Sequence, residues 1–337
     1  MIQKVYGIDF GTGSIKIYRK KDGIIMNERN VIATMGKNEN KRAIAMGDEA
    51  YLMFEKSPDS ISVNFPMVNG GVARLSDMIM LWDYMAAEIT AKPKLKGARF
   101  YIAVPADFNE VEKNAFKKVI QEGNSKPKSV KLIDKPICDA FGLKIDIDKT
   151  AGDMIVNIGA DTVEISVIAG GGIVVSRLLP MGGNYFDRQI LNYIRKEYNF
   201  VIGLRTAEEL KKKIITANPS ERTADVFGKN MVSGLPENLT VHSEEIYPLV
   251  ENVFADLSTQ ITKILEHTPP EISASIENNG IYLTGGSSWI NELDQFVADS
   301  TYMKVNTTKF AQKTVISGLG YLIENQKLAD KYALPLY

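Results

Sequence analysis

The chain has 337 residues, 45% of them hydrophobic and 24% charged, enough apolar material for two cores of ordinary domain size. Its formal net charge of -1 removes the bulk attraction to nucleic acid that a basic protein would have. A single cysteine, Cys138, excludes an internal disulfide framework and fits a reducing cytoplasm. The two histidines, His242 and His267, have no cysteine companions, which argues against a zinc site or a Ser-His-Asp triad. The opening Met1–Gly7 lacks the features of a secretion signal, and no apolar run approaches the ~18–20 residues needed to span a bilayer. The expectation is a soluble chain, at most peripheral to a membrane.

From Tyr6 the pattern is an apolar strand, a polar glycine turn (Asp9–Ser14), a strand to Tyr18, a second turn at Lys20–Gly23 and a strand from Ile24. Thr34–Asp77 shows little period and is expected to form a small appended subdomain. Arg99–Val104 is an apolar run ending at Pro105, the pattern of a buried strand. Asn109–Gln121 is expected to be a helix, with Asn109 as N-cap and Glu112 at capping-box spacing. Lys131–Ile133 is a short strand, and Pro136 suits the first turn of a helix through Phe141.

Ile155 then opens a near-copy of the first pattern. Asn157 aligns with Asp9, Gly159 with Gly11 and Thr162 with Ser14, followed by Gly170–Gly172 and a strand from Ile173. A duplicated unit opening each half implies two similar domains. Tyr185–Tyr198 places Phe186, Ile190, Tyr193 and Ile194 at helical spacing, and Thr216–Thr240 reads as an insertion with irregular parts. Glu244–Glu266 is a long helix with Leu249, Val253, Leu257, Ile261 and Ile264 as its apolar stripe. Strands alternating with helices in both halves argue for α/β domains with mixed sheets.

Three glycine turns carry the chemistry. In Asp9–Ser14, Gly11 and Gly13 let backbone N–H groups approach phosphate oxygens, and Thr12 and Ser14 add hydroxyl donors. Asp9 at the strand end suits a magnesium ion held through water, and Lys16 offers positive charge to a β- or γ-phosphate. A plain hairpin turn with a solvated lysine would look the same. Asn157–Thr162 supplies a second phosphate turn, and the strand Ile281–Thr284 runs into Gly285-Gly286-Ser287, where a flat base can lie against the backbone. Three such turns in this order are far more specific than one.

These turns resemble the phosphate-1, phosphate-2 and adenosine signatures of the actin, Hsp70 and sugar-kinase superfamily. Within it, the strings Pro66–Val72, Leu132–Pro136, Gly171–Arg177, Tyr193–Asn199, Ile202–Glu208 and Thr268–Glu271 resemble the bacterial actin MreB family, over about Tyr6 to Leu322. The resemblance implies an α/β actin/Hsp70-like ATPase fold: two duplicated mixed-sheet domains with inserted smaller subdomains around a central nucleotide cleft. It places the four subdomains at 1–33 with 66–145 and 315–337, at 34–65, at 146–181 with 243–314, and at 182–242. It also implies ATP or ADP with Mg²⁺ as cofactors, Asp9 and Asn157 holding the metal through water. The nucleotide contacts carried over are Asp9, Gly11, Thr12, Gly13, Ser14, Lys16, Asn157, Gly159, Asp161, Thr162, Gly182, Gly183, Lys211, Gly285, Gly286 and Ser287. Self-assembly into filaments follows from the same resemblance, as do other MreB paralogues as partners, of the kind found together in wall-less helical bacteria. Too few residues precede Gly7 for an amphipathic membrane helix, so an anionic membrane surface would be met by the Lys92–Lys96 loop, at the inner face of the cell membrane.

The chain departs from the family at the hydrolytic positions. The acidic residue expected before Pro136 is Lys135, which cannot accept a proton from water at neutral pH. The expected aspartate of the second turn is Asn157, the following Gly-Gly is Ala160-Asp161, and a Lys-x-Glu near the ribose reads Lys211-Lys212-Lys213. One reading pairs Lys135 with Asp161 and slows or abolishes hydrolysis. The other keeps activity through Thr162 and bound water. A non-polymerising regulator of related filaments is a further alternative. A sugar kinase lacks a poised carboxylate here, and a chaperone ATPase would need a β-rich substrate domain.

Overall fold

The computed structural model describes residues 4–36, 40–89 and 95–335. The chain forms two compact units, residues 1–150 with 166–178 and 312–337, and residues 151–165 with 179–311.

The first unit is built on a five-stranded sheet in the order Ser129–Asp134, Arg99–Val104, Val5–Phe10, Ser14–Arg19, Gly23–Arg29. Val5–Phe10 is central and buried at every position, Asp9 included. It pairs in parallel with Arg99–Val104 and antiparallel with Ser14–Arg19. The helices Leu75–Glu88 and Glu110–Glu122 supply Trp82 and Phe116 to a core with Phe10 and Phe100. Trp82 meets Phe10 and Phe100 edge-on at 6.3 and 5.6 Å, and its indole N–H donates to Ser125 Oγ at 2.6 Å. Each buried aromatic contributes about 1.5–3 kcal/mol. Asn109 and Glu112 form the expected capping box.

The helix Lys135–Gly142 starts where the strand Ser129–Asp134 ends and packs closely on Thr314–Glu324. A Cβ at Gly318 would lie 1.7 Å from the Cys138 carbonyl oxygen, so only glycine permits this approach. The packing fixes the first residue of the helix, Lys135, at the sheet edge. Beyond the main sheet, Ile32–Met35 lies between Arg42–Met46 and Ile61–Asn64 in a small antiparallel sheet, with Tyr51, Phe54 and Phe65 clustered beside it. Its strands are short and the outer two are only partly buried, which is why Thr34–Asp77 showed little period. In the basic loop, Thr90–Lys94 lie outside the described residues. Leu95 is buried in the core, so it is not the exposed apolar contact that a membrane-facing loop would offer.

A second five-stranded sheet repeats the plan: Gly172–Leu179, Val163–Ala169, Asp153–Ile158, Ile281–Thr284, Val305–Asn306. Here too the first strand of the pattern is central and runs parallel to the next one inward, Met154 opposite Ile281. The segment expected to be partly irregular instead contains a regular hairpin, Thr223–Asn230 with Pro236–His242. Only alternate residues such as Ala224 and Val226 turn inward, which left a weak apolar signal. Asn230 Oδ1 accepts from the Val232 and Ser233 N–H groups at 2.8 and 3.2 Å and shapes the turn.

The helix Ser243–Glu266 buries Ile246, Val250, Phe254, Leu257, Ile261 and Ile264. The expected Leu249 and Val253 are only half-buried. Successive steps of four over-rotate by about 40° each, so Leu249–Val253–Leu257–Ile261 drifts off the face that the mixed three-and-four stripe holds.

Candidate nucleotide-binding site

In the first unit, the Gly11 N–H donates to the Ser14 carbonyl at 3.1 Å, closing the turn between its two strands. Asp9 and Lys16 face each other across the pair and are both buried. Lys16 Nζ lies 3.8 Å from Asp9 Oδ2 and donates to Ser14 Oγ at 2.7 Å. Lys135, from the neighbouring helix, brings its Nζ to 3.3 Å from Asp9 Oδ1. That oxygen makes no aligned hydrogen bond, so its charge is answered by the ammonium field rather than by a donor. Burial lowers the Lys16 pKa first of all; Asp9 opposes this, while Lys135 and Lys313 push further down. Asn30 completes the turn, its amide donating to the Gly11 carbonyl at 2.9 Å.

The second unit closes its turn identically: the Gly159 N–H donates to the Thr162 carbonyl at 2.8 Å. The helix Gly183–Tyr198 is stitched onto it. The N–H groups of Gly182, Gly183 and Asn184 donate to the carbonyls of Asp161, Gly159 and Ala160 at 3.0, 3.0 and 2.6 Å. Ser287 Oγ donates to the Gly159 carbonyl at 2.9 Å, and the Asn184 amide to Asp161 Oδ1 at 2.8 Å. Gly285 has φ +82°, and a Cβ there would lie 2.3 Å from the Ile158 carbonyl oxygen. Lys211 Nζ sits between the Asp187 carboxylate at 2.8 Å and the Gly183 carbonyl at 3.0 Å. Burial raises the Asp187 pKa, with Lys211 opposing.

The residues carried over from the resemblance thus gather into two clusters. Asp9, Gly11, Thr12, Gly13, Ser14 and Lys16 surround the first turn, joined by Lys135. Asn157, Gly159, Asp161, Thr162, Gly182, Gly183, Lys211, Gly285, Gly286 and Ser287 surround the second. Within its own unit Lys135 pairs with Asp9, and Asp161 accepts from Asn184. The strand that ends at Asp134 aims the helix start at Asp9, its neighbour but one in the sheet, which the sequence string alone did not reveal. Asp134 does not replace the lost acid either, since Lys113 holds its carboxylate at 3.0 Å.

Sequence reasoning missed Asn30, Lys313 and Asp187. Asp187 had a signal, a carboxylate one step from Phe186 on the apolar face of its helix. Asn30 and Lys313 had none, because their roles depend on tertiary placement.

The first cluster suits an anion. Two ammonium groups face one carboxylate, with Lys313 adding to the field. It fits a magnesium ion poorly, since the expected ligand Asp9 is already matched by two cations. Among the described residues no group of three or more His, Cys, Asp or Glu side chains could hold a metal.

The sequence model of the MreB/Mbl protein family matches residues 3–331. The cell shape-determining protein Mbl of Bacillus subtilis (strain 168) is 34% identical over 336 residues, covering 99% of this chain and all of the relative. The crystal structure of MreB5 of Spiroplasma citri bound to ADP superposes with a TM-score of 0.90 at 30% identity, covering 98% of this chain and 99% of that one. The same protein bound to AMPPNP gives 0.89 at 31% identity, covering 98% of each chain. The chain belongs to the MreB/Mbl family and has its actin-like fold.

Proposed function

We propose that this chain is a nucleotide-binding cytoskeletal protein that assembles into filaments and hydrolyses ATP slowly or not at all. The observation that carries the reading is the pair of equivalent glycine turns, each closed by the same backbone hydrogen bond and each ringed by the residues expected to meet phosphate. The ADP and AMPPNP complexes of the Spiroplasma citri relative support nucleotide as the ligand, and the cell shape-determining relatives support a cytoskeletal role. The small sheets at Ile32–Asn64 and Phe200–His242 support a four-part division of the molecule.

Slow hydrolysis follows from the charge at Lys135. A water attacking the γ-phosphate needs an acceptor for its proton, and an ammonium tied to Asp9 is a donor. Membrane attachment through the Lys92–Lys96 loop would rest on lysines alone, because Leu95 is in the core.

Two measurements test this. Sedimentation with and without ATP is expected to pellet the protein, and a chain that stays in the supernatant under every nucleotide condition contradicts assembly. Phosphate release in Lys135→Glu is expected to exceed wild type by about tenfold or more, toward the range typical of a general base. Equal rates would contradict the slow-hydrolysis reading. Adding Asp161→Gly should raise the rate further.

A further inference from the structure

We infer that this chain holds its nucleotide without a divalent cation, the Lys135 ammonium occupying the electrostatic role of the metal beside Asp9. The inference rests on the nucleotide-binding reading above and concerns how the first turn holds the phosphates.

Asp9 is the penultimate residue of the central strand and the one expected to hold a hydrated magnesium ion. Its two carboxylate oxygens are instead divided between two lysines, Oδ1 at 3.3 Å from Lys135 and Oδ2 at 3.8 Å from Lys16. The side chains of Asp9 and Lys16 are each 8% exposed and that of Lys135 17%, so water screens these charges weakly. Placing a dication against this carboxylate would bring it close to two ammonium groups, with Lys313 adding to the same field. Magnesium also demands a near-octahedral oxygen shell, and one carboxylate already matched by cations is a poor anchor for it.

The ammonium groups can do what the metal would. Each carries three N–H donors in a compact charge. Lys16 uses one on Ser14 Oγ, and Lys135 directs its charge at Asp9, leaving donors on both for phosphate oxygens. The position of Lys135 is built in, because it begins a helix clamped by the close approach at Gly318. A cation bridging Asp9 and a phosphate is the arrangement a hydrated metal provides. Here the cation is covalently part of the chain and needs no recruitment from solution. The neutral Asn157 at the equivalent place in the second turn adds no charge to attract a metal.

Isothermal titration of ADP into the purified full chain, once in excess magnesium and once in EDTA, tests this directly. The two dissociation constants are expected to agree within about threefold, and a larger loss of affinity in EDTA would overturn the inference. Lys135→Gln is expected to lose about tenfold or more in EDTA relative to magnesium, and Lys135→Glu more still. Variants as indifferent to EDTA as wild type would overturn the assignment to Lys135. The wild-type comparison stands even if a variant does not fold, which thermal melting would reveal. Absence of binding in both buffers would overturn the nucleotide-binding reading itself, whereas binding that needs magnesium would overturn the inference alone.

Discussion

The two glycine turns share one backbone and differ in what holds them. Each is closed by a glycine N–H donating to the carbonyl three residues on, at 3.1 Å in Asp9–Ser14 and 2.8 Å in Asn157–Thr162. The first is organised by charge: a buried carboxylate, two lysines in contact with it and a third nearby. The second is organised by the backbone, with three N–H groups at a helix start and a serine hydroxyl bonded to its carbonyls. Duplication preserved the turn, whose geometry depends on glycine and strand pairing. The side chains around each copy then diverged, and with them the chemistry. One turn presents cations to a ligand, and the other presents a neutral amide and Asp161.

That contrast is breakable. The largest expected effect is at Asp9. Asp9→Asn strands two buried ammonium groups and should cost about 3–5 kcal/mol, whereas Asn157→Ala in the second turn should cost about 1 kcal/mol. Urea denaturation measures both, and equal costs would show that the first turn is not held by charge. Next comes the second turn. Gly285→Ala forces a Cβ against the Ile158 carbonyl at positive φ, which should cost about 2–3 kcal/mol and weaken nucleotide binding. A silent substitution there would show that the packing around this turn is loose.

The smallest effect is on pH dependence. Burial lowers the pKa of Lys16 below its ordinary 10.5, so its charged form is disfavoured in the folded state. Stability from this group is full above 10.5 and is lost as pH falls through the lowered folded value. Raising pH from neutral toward 10.5 should therefore stabilise wild type relative to Lys16→Met, read from denaturation midpoints across that range. A difference that does not change with pH would mean that Lys16 is solvated.

Much of this was legible in the sequence because local rules sufficed. The strand Arg99–Val104 and the capping box at Asn109 follow from runs and spacings within a dozen residues. The internal repeat exposed both turns, since glycine placement records backbone geometry. The partner of Lys135 was not legible. Its contact with Asp9 follows from sheet order, which sets the helix start beside the central strand and which no local string of residues records. The hairpin Thr223–His242 hid for a different reason, since half its residues face outward and dilute the apolar signal.

The most direct test of the account is a crystal structure of the chain with AMPPNP, grown in manganese and examined by anomalous scattering. The account expects the Lys135 ammonium between Asp9 and a phosphate oxygen, with no manganese peak within about 5 Å of the Asp9 carboxylate, the reach of a water-mediated contact. A manganese ion in that place, with Lys135 turned away, would contradict it.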